Sequence, residues 1–182
     1  MGDQVEYTAD VKEKLTIDQV NDLSKGQFVQ RFSSLYEHTP WVAEAAWDER
    51  PFGGVEERHR AFQRAVRAAP EEQQLALIRA HPDLAGKAAV ACELTEEFTR
   101  EQASAGLDRL SSEESEVLNR LNNAYWEKFG FPLIFAVGEH SIESILENAE
   151  QRLKNSREQE LETALGEIVK IARMRLQYLI RR

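Results

Sequence analysis

His81, Glu101, Gln102 and Arg175 are the residues whose types and positions in this chain could do chemistry. In the last helical stretch Leu161, Leu165, Ile168, Ala172 and Leu179 keep three-and-four spacing, and Arg175 interrupts the apolar seam they form. A guanidinium there offers a planar fork that can anchor a carboxylate through two hydrogen bonds. The same pattern also fits an arginine that snorkels to the surface or pairs with a structural acid. In "LTEEFTREQASAGL", Phe98, Glu101, Gln102 and Ala105 recur at i, i+3, i+4 and i+7, so an acid and an amide sit beside an apolar face. A buried carboxylate costs several kcal/mol unless it is paired or neutralised. Structural pairing meets that need, and so does a ligand: the glutamate–glutamine pair could read an amide or urea group from both sides. His81 precedes Pro82, which disfavours helical geometry at the histidine and aims the imidazole off a helix end. That suits a capping or surface histidine, and it equally suits proton transfer near neutral pH.

If the four converge, they make an acid/base set with an anion anchor, for an anionic, nitrogen-rich small molecule. Other chemistries lack their motifs. There is no His-x-x-x-His and no Cys-x-x-Cys for zinc, no Gly-x-Ser-x-Gly elbow and no Gly-x-x-x-x-Gly-Lys phosphate loop. The other histidines are less suggestive. His59 falls on a face with Val55, Phe62 and Val66 and reads as packing at a core edge, while His38 and His140 sit in loop or helix-end positions.

Composition narrows the partners. With 32 acidic against 23 basic residues the net charge is -9, which argues against a nucleic-acid binder. The single cysteine, Cys92, cannot form an intrachain disulfide and suits a reducing compartment. The start of the chain has neither a basic n-region nor an apolar h-region, and no apolar run approaches the roughly 18 residues of a membrane span. A cytoplasmic protein without membrane contact is expected.

The elements that must position these residues are helices. Residues 1–14 are polar and expected to be loose, and residues 15–182 to form one domain. Thr16 can cap a short helix. Phe28, Phe32 and Leu35 predict a second helix running to about His38, and Pro40 opens a third that ends at "DERPFGG". Val55 to Val66 is a further helix, restarted by Pro70 toward Ile78. Thr95 is a plausible N-cap for the helix of Glu101, which Gly106 ends. Capping boxes at Ser111 and Ser156, and Ser141 between them, open three more. The apolar run 129–138, "FGFPLIFAVG", has no partner strand and fits an extended or irregular segment inside a helical fold. The expected architecture is an all-α, single-domain bundle with that segment lining the site.

The ordered motifs "AHPDLAG", "LTEEFTREQASAGL", "LNNAYWEKFGFPLIFAVG" and "KIARMRL" resemble the 2-oxo-4-hydroxy-4-carboxy-5-ureidoimidazoline (OHCU) decarboxylase family, from about Leu23 to Leu179. The resemblance implies an all-α, cofactor-free carboxy-lyase, usually a homodimer. Its members convert the anionic ureidoimidazoline to (S)-allantoin with loss of carbon dioxide in urate breakdown. It implies that His81 and Glu101 are catalytic. It also implies that Pro82, Gln102, Arg175 and the backbone of Phe131, Pro132, Leu133 and Ile134 contact substrate. One departure stands out: Phe98 replaces a serine whose hydroxyl helps many members bind substrate. Phe98 keeps a related ureide hydrolase or isomerase on the same scaffold as an alternative. A non-catalytic helical interaction module is a second alternative.

Overall fold

The computed structural model describes residues 14–37, 39–84, 101, 103 and 105–181. Residues 1–13 of the expected loose segment, and Thr95, Cys92, His38, Phe98 and Gln102, lie outside the described residues. Eight α-helices are described: α1 Ile17–Asp22, α2 Lys25–Phe32, α3 Pro40–Trp47, α4 Val55–Ala68, α5 Glu71–Ala80, α6 Ser112–Phe129, α7 Ile142–Arg152 and α8 Arg157–Leu179. No strand occurs among the described residues; Leu15 and Ile180 form an isolated bridge that ties the start of the described chain to the end of α8.

The helices start where local chemistry directs. Thr16, Ser24, Ser111 and Ser156 each accept from the backbone three residues on, and the Gln or Glu there reaches back to the capping residue's own N–H. Such caps are each worth about 1 kcal/mol because they satisfy donors that the helix leaves orphaned. Pro40 occupies the first turn of α3, where its missing N–H costs nothing. Gly130 ends α6 at φ 75°, a conformation that a side chain would strain.

The long α8 is the mast of the bundle: α4, α5, α6 and the turn 33–36 all pack against it. Its inner stripe buries Ala164, Leu165, Ile168, Ala172 and Leu176. Two aromatic clusters fill the space around it, Phe28, Phe32, Tyr36 and Phe62 on one side and Tyr125, Phe129 and Phe131 on the other.

The second helix is shorter than its periodicity predicts. The α-helix stops at Phe32, a 3-10 turn runs over Ser33–Tyr36, and Glu37 breaks the chain at φ 43°. Leu35 is still buried, because a 3-10 turn keeps it on the core side. Residues 131–136 carry no regular structure, and every one of them is buried.

Candidate active site

Of the three described polar members of the predicted set, α5 carries His81 at its end, α8 carries Arg175, and Glu101 is itself helical. His81 is the C-terminal capping residue of α5, in the extended conformation that Pro82 demands. Its backbone N–H turns to Ile78 O at 3.1 Å, and its ring Nδ1 lies 2.9 Å from the carbonyl of Leu77. A carbonyl only accepts, so Nδ1 carries the proton and Nε2 holds the lone pair. That Nε2 is buried and has no partner among the described residues, and His81 as a whole is 2% exposed. Burial pushes the imidazole down to about 4; the Leu77 carbonyl opposes that shift and the charge of Arg175 adds to it. The histidine is therefore both a helix cap and a neutral base.

The turn after His81 is pinned from α6. Asn122 donates to Leu84 O at 2.9 Å, and Trp126, one turn on, donates its indole N–H to Asp83 at 2.8 Å. Burial raises the Asp83 carboxyl against the effect of that hydrogen bond. Arg79 reaches Gly130 O at 3.0 Å and so joins the end of α5 to the entrance of the irregular segment.

Arg175 is 3% exposed. Its Nε and Nη2 donate to the two oxygens of Glu101 at 2.8 and 2.9 Å, a two-pronged carboxylate grip. Nη1 donates to the carbonyls of Ser34 and Leu35 at 3.2 and 3.4 Å, and Glu37 Oε1 lies beside Nη1 at 2.8 Å. Burial alone would lower the guanidinium's proton affinity; the Glu101 and Glu37 carboxylates outweigh it and raise it. One arginine thus faces two acids, Glu101 on its Nε/Nη2 edge and Glu37 at the opposite nitrogen.

Pro82 is half-buried beside His81, whereas Phe131, Pro132, Leu133 and Ile134 are fully buried. A polar network fixes that segment. Arg152 donates to Ile134 O at 2.6 Å and to Glu160 at 2.9 Å, Tyr125 donates to the same Glu160 carboxylate, and Glu167 accepts from Ala136 N at 2.7 Å. Two of the segment's backbone groups are therefore spoken for by protein side chains. Glu37, Arg152, Glu160 and Glu167 were not among the residues expected to matter. Glu160, Ala164, Glu167 and Ile171 share an i, i+4, i+7, i+11 stripe of α8, the signal that would have singled out the two acids.

A separate cleft of about 580 Å³ lies between the start of α4 and the end of α8, lined by Lys14, Val55, His59, Arg173, Leu176 and Arg181 among others. None of His81, Glu101 or Arg175 lines it. His59 is 7% exposed at its edge, as expected of a packing histidine. No group of three or more metal-ligating side chains occurs among the described residues.

The helical scaffold buries a histidine whose proton affinity the charge of Arg175 lowers further, and it pairs that arginine with two acids. The chain matches the OHCU decarboxylase family over residues 21–177 and belongs to it. It is 45% identical over 163 residues to the 2-oxo-4-hydroxy-4-carboxy-5-ureidoimidazoline decarboxylase of Haloferax volcanii, covering 90% of this chain and 95% of that one. It is 42% identical over 166 residues to the protein of the same name from Halalkalicoccus jeotgali, covering 91% and 92%. In shape it resembles the crystal structure of an (S)-allantoin synthase, with a TM-score of 0.74 and 27% identity, over 92% of this chain and 54% of that longer chain.

Proposed function

We propose that this protein decarboxylates OHCU to (S)-allantoin, with His81 as the acid/base, Glu101 as its catalytic partner and no cofactor. The observation that carries this reading is His81 itself: Nδ1–H is tied to Leu77 O, and Nε2 is left as a buried lone pair. A neutral imidazole accepts a proton, and an anionic substrate arriving beside it raises its proton affinity, because opposite charge favours the imidazolium. His81 takes the proton of the substrate hydroxyl. Loss of carbon dioxide then leaves negative charge on a ring whose own C=N and carbonyl groups serve as the electron sink. Return of a proton from one face fixes the configuration of the product.

Glu101, with Gln102 beside it in sequence, accepts from the ureido and ring N–H groups. The Glu101 pair leaves Arg175 less free to bind substrate than an unpaired arginine. Its N–H groups already meet Glu101, Ser34 O and Leu35 O, so it offers the substrate at most its remaining Nη2 hydrogen. Pro82 and the backbone of Phe131, Pro132, Leu133 and Ile134 supply the walls. The relatives named above support this substrate, and the family resemblance supports a homodimer, which sedimentation would check directly. Circular dichroism of freshly generated OHCU tests the function: the protein should speed the appearance of the (S)-allantoin signal. An unchanged rate of decay, or racemic product at the spontaneous rate, would rule the reading out.

A further inference from the structure

We propose that Glu37 is a positioning residue for this reaction, holding the Arg175 guanidinium so that its Nε/Nη2 edge presents Glu101 to the substrate. The inference rests on the reading of Glu101 given above. Glu37 is 4% exposed and its Oε1 lies 2.8 Å from Arg175 Nη1, while the hydrogens of Nη1 point to the carbonyls of Ser34 and Leu35. The attraction of Glu37 is therefore mainly coulombic. Its backbone stands at φ 43°, a region non-glycine residues seldom occupy. A residue kept there against its own preference points to a side chain the site needs. Thr39 holds the distortion in place by donating its hydroxyl to Tyr36 O and Glu37 O. Two carboxylates on one guanidinium also divide its pull. When Glu101 turns toward substrate N–H groups, Glu37 and the two carbonyls keep Arg175 from following.

Because Glu37 acts through Arg175 on Glu101, its effect must vanish once Glu101 can no longer respond. The test is a double-mutant cycle on kcat/KM, with Glu37→Gln, Glu101→Gln and both together, each checked for native circular dichroism. Glu37→Gln keeps the shape and removes the charge; it should cost about tenfold in the natural background and less than about twofold in the Glu101→Gln background. Glu37→Asp keeps the charge on a shorter stem, should lose only about three- to fivefold, and carries the same cycle should Glu37→Gln not fold. Equal losses in both backgrounds, or a Glu37→Gln variant within about twofold of the parent, would overturn the role of Glu37. A Glu101→Gln variant as active as the parent would instead overturn the site reading, and the two failures are thereby told apart.

Discussion

Arg175 and Glu101 meet edge to edge, Nε to Oε1 at 2.8 Å and Nη2 to Oε2 at 2.9 Å, although 74 residues separate them in the chain. Sequence spacing left Arg175 open between anchoring the substrate's anion and pairing with a structural acid, and the family resemblance implied contact with substrate. The structure makes it first the partner of two acids, and that changes what its substitution should do.

Arg175→Ala leaves Glu101 and Glu37 facing each other without a cation, so it should destabilise the fold by about 3–5 kcal/mol, read as a lower urea midpoint. Arg175→Lys keeps the charge but cannot grip both oxygens of Glu101 at once. It should fold, and its kcat/KM should fall more than about tenfold, because a point charge does not fix the carboxylate's plane. A lysine variant with parental kinetics would show that the fork is not needed.

His81 makes stability depend on pH in a defined window. Burial holds its folded-state value at about 4, against about 6.5 for a free imidazole. Between those values the unfolded chain binds a proton that the folded chain refuses. The contribution is therefore complete above about pH 6.5 and is lost as pH falls toward 4, by about 3 kcal/mol in all. His59 is shifted down chiefly by burial too and adds a slope of the same sign. Urea titrations from pH 7 to pH 4 should show a shallower decline in His81→Asn than in the parent; identical slopes would contradict a buried neutral His81.

Arg58 presents the opposite situation to Arg175. Its side chain is fully buried on α4, lies 5.6 Å from the Phe32 ring centroid, and has no hydrogen-bond partner for any of its three nitrogens among the described residues. Burial lowers its guanidinium to about 10. An unpaired buried cation is a cost that an apolar residue of similar length removes, so Arg58→Met should raise stability by about 1–2 kcal/mol and leave turnover unchanged. A destabilised methionine variant would mean that the guanidinium is paired or hydrated in solution.

Much of this was legible in the residues. Thr16, Ser111, Ser141 and Ser156 announced their helices because capping is a local interaction, complete within four residues. Pro82 announced that His81 would leave the helix side. The lack of a partner strand announced an irregular segment at 129–138, which is narrower in the structure, running over 131–136 between the end of α6 at Phe129 and a 3-10 turn at Val137–Glu139. Arg175 stood out because a charge on an apolar stripe breaks a pattern. Glu37 broke none, since it lies where a helix was expected to run on toward His38. Its value comes from a backbone conformation and from a partner 138 positions away, neither of which spacing encodes. The same holds for Arg152, whereas Glu160 shares a stripe with Ala164 and Ile171 that spacing does encode. Arg152 looks like one more charge on a charged helix until packing brings Glu160, Tyr125 and Ile134 O against it.

The most direct test of the account is the rate at which parent and His81→Asn proteins produce (S)-allantoin from freshly generated OHCU at pH 7, followed by circular dichroism. The account predicts a native fold for both, with turnover in the variant lower by about two to four powers of ten, the usual worth of a positioned general acid or base. A folded His81→Asn protein that formed (S)-allantoin at the parental rate would contradict it.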